Sequence, residues 1–375
     1  MDLVPLHRSD IQLGREAPFD IYDPHGNKLL SKGVLIASEA VWERLLERGR
    51  RDSSDEGASG SRNAEREVPP PPTVFDKVEA FSGELGALHD SLVGGRASGA
   101  AAAFHALSDR VVACFDADQD AMLAAFQIGC GDDTPATRML HVCVLSELMS
   151  ARLELEQAAR RLVRVAALSY DLGMHALYGQ LALQAFGLSR EQQAQLHGHP
   201  QLSVELLRRA GIEDAGWLEL VLSHHERIDG SGYPRGLHDS DITRPARILA
   251  IADIYSAMIR PRAYRGAINA REAMREIFLE RGRWVDPDLS AILIKAVGMY
   301  PPGSFVRLAS GEVAVVVGRT DNASLPEIRS VVGMEGMPRA VPVARDPQDP
   351  LYAIVATVPP SEYRFPMAPV RKLWR

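Results

Sequence analysis

Apolar residues recur every three to four positions through most of the chain between about residues 74 and 300. Phe75, Val78, Phe81, Leu85 and Leu88 form one such stripe. Phe104, Leu107, Val111, Val112 and Phe115 form another, after a Gly/Ala-rich break at 94–103. This is the period of a helix that buries one face. The same pattern predicts helices over 138–153, 158–169, 200–210, 217–223, 246–259 and 271–281. Strand patterns are absent from this stretch, so it reads as one all-α bundle.

The two ends follow a different rhythm. In residues 1–49, Phe19-Asp20-Ile21-Tyr22 and Lys28-Leu29-Leu30 read as strands around turn residues 23–27, and Val34-Leu35-Ile36 is a third apolar run. Ser38 is placed to cap a helix carrying Val41, Trp42, Leu45 and Leu46 on one face, with Gly49 at its end. This is a small N-terminal α/β module, too short to hold a large core alone. Residues 50–73 are polar, rich in Ser and Gly, and end in four prolines, Pro69–Pro72, so a disordered linker is expected. In residues 301–375, Ser304–Leu308 and Val313–Val317 flank Ala309-Ser310-Gly311-Glu312 as a hairpin, and Ile328 with Val331-Val332 offers a further strand. The expected architecture is therefore mainly α, with a small α/β module before the bundle (74–300) and a C-terminal β-hairpin appendage after it.

Composition narrows the function classes. The chain has 375 residues, enough for two or three domains, with 46% hydrophobic and 24% charged residues, as in a soluble globular protein. A formal charge of −7 without a Lys/Arg run argues against a nucleic-acid polymer as partner. Cys114, Cys130 and Cys143 lack Cys-x-x-Cys spacing and read as buried thiols. The first residues carry charge without an apolar signal segment. The longest apolar run, Ile248–Ile259, is interrupted by Asp253, so no membrane span is expected. A cytoplasmic location is the expectation.

The chemistry concentrates in one string, His224-His225-Glu226-Arg227-Ile228-Asp229-Gly230-Ser231-Gly232-Tyr233-Pro234. It sets two imidazoles and two carboxylates beside a Gly-x-Gly-Tyr-Pro turn. Imidazole is the commonest metal ligand, and glycine lets backbone approach a ligand. Four further residues stand in helical or helix-end settings. His141 lies in the apolar run 139–145, as a core histidine or a ligand. Asp253 interrupts 248–255, where a buried carboxylate needs a hydrogen-bonded partner or a cation. Asp171 sits near a helix end. His199 precedes Pro200, which reads as the first residue of a helix.

The order and separations of His141, Asp171, His199, His224, His225 and Asp253, together with the 224–234 string, resemble the HD-GYP family. These are bacterial metal-dependent phosphodiesterases of the HD superfamily that open cyclic di-GMP. The resemblance implies an HD-superfamily helical bundle in which these six residues are metal ligands and Asp171, His199 and His224 are catalytic. It implies one to two divalent transition ions, iron or manganese, and cyclic di-GMP as substrate. Asp229, Gly230, Gly232, Tyr233 and Pro234 form its motif loop, a surface for signalling proteins, and a homodimer is a further expectation. Arg262-Ala263-Tyr264-Arg265 resembles the family's phosphate-binding segment, giving Arg262 and Arg265 that role; without the resemblance they read equally as a solvated pair.

The chain also departs from the family pattern. Tyr170 replaces the histidine of the His-Asp doublet, Met174 a lysine, and Thr137 a glutamate found in some members. Three readings follow: a phosphodiesterase with a reduced metal site, a degenerate domain that binds nucleotide or protein, and a structural bundle with incidental histidines.

Overall fold

The computed structural model describes residues 3–24, 26, 28–34, 36, 39–53, 71–96, 98–129, 134–181, 184, 187–260, 268–334, 336–359 and 367–374. The chain divides into two compact units, Met1–Pro70 and Pro71–Arg375.

The first unit contains β1 (Leu3–Pro5), β2 (Ile21–Tyr22), β3 (Lys28–Leu30), α1 (Glu39–Arg48) and β4 (Arg50–Asp52). Its four-stranded sheet runs β1-β4-β2-β3 around a core of Leu6, Ile11, Ala17, Ile21, Ile36 and Leu45. The α/β module and two of its strands lie where the hydrophobic pattern puts them. The expected linker starts too early, because Arg50–Asp52 pairs with Leu3–Pro5 as a strand. Its polar sequence hides this. Arg51 is nearly buried and finds a tertiary partner in Asp10, 3.5 Å away. Residues 54–70 of that linker lie outside the described residues.

The second unit holds the helices. They are α2 (Val74–Val93), α3 (Ala100–Ala117), α4 (Gln119–Ile128), α5 (Pro135–Arg152), α6 (Gln157–Ala167), α7 (His175–Leu181), α8 (Arg190–Arg209), α9 (Ala215–Ser223), α10 (Arg244–Met258), α11 (Ala270–Leu279) and α12 (Pro287–Val297). Side-chain caps start many of them. Thr73 and Asp76 make a capping box on α2, Thr134 caps α5, Asp214 caps α9 and Thr243 caps α10. The central helix is α5, buried from Ala136 to Ser150 apart from Arg138. A helix apolar on every side belongs in the middle of a bundle. It packs against α2, α6, α10 and α12.

Two buried charges in this core pair with each other. Arg164 on α6 and Glu147 on α5 are each 1% exposed, and Arg164 Nη1 lies 2.9 Å from Glu147 Oε2. Arg160 reaches the other oxygen of Glu147, and Arg164 Nε donates to Ser108 Oγ at 3.1 Å.

The longest disagreement with the periodicity is α8. The expectation is a helix starting at Pro200, but α8 begins ten residues earlier at Arg190 and runs through the proline. Ser189 and Gln192 form a capping box that starts it there. This polar first half carries little apolar periodicity, and a proline inside a helix reads as its start.

The C-terminal region is more than a hairpin appendage. β5 (Phe305–Leu308) and β6 (Val313–Gly318) do form the expected hairpin. β7 (Glu327–Val332), β8 (Pro338–Arg345) and β9 (Ile354–Thr357) extend it to five antiparallel strands in the order β8-β7-β6-β5-β9. The two prolines of β8 argue against a strand, yet β8 is at the sheet edge, where proline is tolerated. One face of the sheet, with Phe305, Val313, Val315 and Val332, joins the helical core. The short α13 (Met367–Arg371) and the following turn bring Trp374 against Phe75, with ring centroids 5.9 Å apart, and Trp374 Nε1 donates to Val317 O at 2.8 Å. Cys114 and Cys143 are buried free thiols, while Cys130 lies outside the described residues. No described helix is long and apolar enough to cross a membrane.

His89 ties α2 to the turn that follows α6. It takes a core position on α2 and its Nε2 lies 2.8 Å from Leu168 O, so this nitrogen carries the proton. Burial pushes its pKa down to about 4. The unfolded chain then binds more protons than the folded one, so stability rises with pH across this window. The contribution is fully present above about pH 6.5 and is lost as pH falls toward 4. Metal-free protein is expected to melt at progressively lower temperature from pH 6.5 downward, and His89→Gln, which keeps an N–H donor, to flatten that slope. Parallel slopes in thermal denaturation would remove His89 as a source.

Candidate metal centre

The site is built where the ends of α6 and α9 meet the middle of α8. After α6 the chain turns through Leu168–Asp171, and Trp217 of α9 pins that turn by donating from Nε1 to Ser169 Oγ at 2.8 Å. Gly173 lets the turn close on α8, since a Cβ there would lie 2.3 Å from the His199 carbonyl. Asp171 thereby faces His199.

Two backbone features fix the imidazoles. Pro200 has no N–H, so the Leu196 carbonyl loses its usual helical donor. His199 Nδ1 takes that carbonyl at 2.5 Å. Val221 lies in the last turn of α9, where carbonyls lack helical partners. His224 Nδ1 takes it at 2.6 Å. A carbonyl only accepts, so each Nδ1 carries a proton and each ring turns its Nε2 inward. Burial first, then neighbouring His199, pushes the His224 pKa down to about 4, so this ring is neutral.

The inward atoms crowd together. His199 Nε2 lies 3.1 Å from His224 Nε2 and 3.1 Å from Asp171 Oδ1, and His224 Nε2 lies 3.9 Å from that oxygen. With His225, each of these residues offers a ligand atom within 4.8 Å of the others. Unprotonated, these atoms cannot satisfy one another. One shared proton would serve one pair, whereas a cation would serve the whole set. Neutral nitrogens with one carboxylate suit a divalent transition ion. Burial alone would raise the Asp171 carboxyl, but His199 and the Arg138 guanidinium outweigh it and hold it well below the usual carboxylate range.

The motif loop backs the histidines. Buried Glu226 accepts from the backbone N–H groups of Arg235 and Leu237, both at 2.8 Å, which draws the loop into a bend. Asp229 Oδ1 accepts from Ser231 N at 3.0 Å. At Gly232 a Cβ would lie 2.4 Å from Arg227 N, so the bend requires glycine. The Tyr233 ring packs on His225 and on His197, with centroids 4.7 and 4.6 Å away, and Tyr233-Pro234 is cis.

His141 and Asp253 stand apart from this group. His141 Nδ1 meets Ser256 Oγ at 2.9 Å, and its ring stacks on Phe126 at 4.8 Å. Asp253 Oδ1 is held by Arg138 Nη2 at 2.5 Å and accepts from the Tyr170 hydroxyl at 2.6 Å. Burial raises the Tyr170 pKa, so the phenol keeps its proton. Met174 is buried apolar packing, and Thr137 Oγ1 bonds Ser82 Oγ at 2.7 Å. Arg262 and Arg265 lie outside the described residues.

Sequence reasoning missed Arg138 and Tyr178. Arg138 Nη1 donates to the Tyr178 hydroxyl at 2.9 Å, and that hydroxyl donates to Asp171 Oδ2 at 2.6 Å. The available signal was spacing: Arg138 is three residues before His141, on the same face of α5.

A family model for the HD domain matches residues 106–289. The similarity to the HD domain family spans just under half of the chain. Several curated proteins similar to it carry the names of cyclic dinucleotide phosphodiesterases. It is 34% identical over 218 residues to a cyclic di-GMP phosphodiesterase of Pseudomonas aeruginosa, covering 56% of this chain and 51% of that protein. It is 34% identical over 154 residues to the cyclic di-GMP phosphodiesterase response regulator RpfG of Xanthomonas campestris, covering 40% and 39%. A 3'3'-cGAMP-specific phosphodiesterase of Vibrio cholerae is 28% identical over 160 residues, covering 43% and 35%. The chain thus spans about half or less of the length of these relatives. Among solved structures, a HDG"Y"P protein from Bdellovibrio bacteriovorus aligns with TM-score 0.49 and 16% identity, over 78% of this chain and 98% of that one.

Proposed function

We propose that the chain is a metal-dependent phosphodiesterase that hydrolyses cyclic di-GMP at a reduced metal site. The observation that carries this is the convergence of ligand atoms from Asp171, His199, His224 and His225 within 4.8 Å of one another, the first three of these residues buried. Iron or manganese fits a set of three imidazoles and a carboxylate. When bound, the ion supplies Lewis acidity toward the phosphodiester.

The chain's own residues do the rest. The Leu196 and Val221 carbonyls hold His199 and His224 with Nε2 inward. Tyr178 and Arg138 engage the outer oxygen of Asp171, which leaves Oδ1 for the ion. Tyr233 covers His225 and keeps bulk water from that side. Arg262 and Arg265 are assigned to substrate phosphates, which a guanidinium suits through its paired donors. Signalling proteins at the 229–234 loop and a homodimer belong to the same proposal.

A second reading, a domain that binds cyclic di-GMP without turnover, is favoured by one observation. Tyr170 replaces a nitrogen ligand with a protonated phenol that already donates to Asp253. Chromatography of cyclic di-GMP incubated with manganese- or iron-loaded protein, beside calorimetry, decides between them. Product formation is the expected result. Binding without product would establish the second reading, and neither binding nor product would end both.

A further inference from the structure

We propose that Arg138 is a resident cation standing where a second metal ion would otherwise bridge Asp171 and Asp253. The inference rests on the metal reading above and deepens it, by fixing how many ions the site takes.

Two carboxylates, Asp171 and Asp253, reach the same guanidinium in the bundle core, with side chains only 4% and 5% exposed. Buried carboxylates need compensating positive charge. The Arg138 guanidinium lies between them. Its Nη2 is 2.5 Å from Asp253 Oδ1, and its Nη1 is 3.6 Å from Asp171 Oδ2 and 2.9 Å from the Tyr178 hydroxyl. Its side chain is 16% exposed. Burial works against this charge, but Asp253 and the other surrounding groups hold its pKa well above the ordinary arginine value.

The neighbours complete the replacement. Tyr170 donates to the same Asp253 oxygen, and His141 is turned to Ser256. Both lone residues from the expected ligand set are therefore engaged by the chain itself. A divalent ion entering this space would meet a fixed like charge at contact distance and would find Asp253 Oδ1 already bonded twice. The cluster of Asp171 Oδ1, His199, His224 and His225 is left to hold a single ion. An arginine cannot surrender its proton, so the replacement is permanent at every working pH.

Chelator-stripped full-length protein titrated with Mn²⁺ in a calorimeter should saturate at one ion per chain. Its electron paramagnetic resonance spectrum should be that of isolated Mn²⁺, without a coupled pair. Arg138→Ala, alone and with Tyr170→His, should raise the stoichiometry from one to two and bring a coupled-pair signal. Arg138→Lys, which keeps the charge, should stay at one. Arg138→Ala protein that folds only with Mn²⁺ present would support the proposal. Two ions or a pair signal in the parent protein would overturn it and leave the metal site standing. So would a single ion in both Arg138→Ala variants. No Mn²⁺ in the parent protein would overturn the metal reading itself. Should neither variant fold, the parent stoichiometry and spectrum decide alone.

Discussion

Asp171→Asn is expected to release the bound ion and to reduce cyclic di-GMP turnover to background. Asp171 Oδ1 is the one anionic atom among the four converging ligands. Asparagine keeps the shape and removes the charge that draws a divalent ion among the three imidazoles. Losing an outer-shell partner of a metal ligand costs about 10–100-fold in affinity. Losing the charged ligand should exceed that, more than about 100-fold. Arg138 would lose one of its two carboxylates but would still hold Asp253 at 2.5 Å, so the fold should survive. Metal content after dialysis, read beside the circular dichroism spectrum, checks both halves. Undiminished metal in a folded Asp171→Asn protein would show that the ion, if any, binds elsewhere.

Glu147→Ala is expected to be the most destabilising single change in the helical core. Arg164 would be left 1% exposed with its main counter-charge gone. Breaking one side of a buried pair costs about 3–5 kcal/mol, because the surviving charge stays buried. That is a large part of the roughly 5–15 kcal/mol that stabilises a typical protein. A unit of this size loses about 2–4 °C per kcal/mol, so the melting temperature should fall by roughly 10 °C. Glu147→Leu with Arg164→Met removes both charges and should recover most of the loss. A drop in the single variant equivalent to less than about 1 kcal/mol would mean that water or Asp109, 3.7 Å from Arg164 Nη2, takes over.

How far the sequence foretells these sites depends on the range of the interaction. The helices of the bundle were legible because burial imposes a period on Phe75, Val78, Phe81 and Leu85. The cluster's four members were legible because His224-His225 and Gly230–Pro234 form a local string, and Asp171 and His199 stand at the family's separations. The strand at Arg50–Asp52 was not, since its stability comes from Asp10 and Leu3–Pro5 and not from its own polar residues. The five-stranded sheet was read short because β8 carries prolines that only its edge position excuses. Arg138 was overlooked despite its place one turn before His141, for the same reason as Arg164. A charge on a buried face signals something only when its partner is known, and Asp253 is 115 residues away.

The proline inside α8 has a consequence for which residues count as part of the site. Pro200 offers no ligand atom and touches no substrate, yet it withholds the N–H that would otherwise occupy the Leu196 carbonyl. A deliberate gap in one helix ladder thus becomes the peg on which His199 is hung. Substitution of that position by a better helix former would mend the ladder and unhook the ring. A sturdier α8 and a steady imidazole therefore make opposite demands on residue 200, and the proline meets the second.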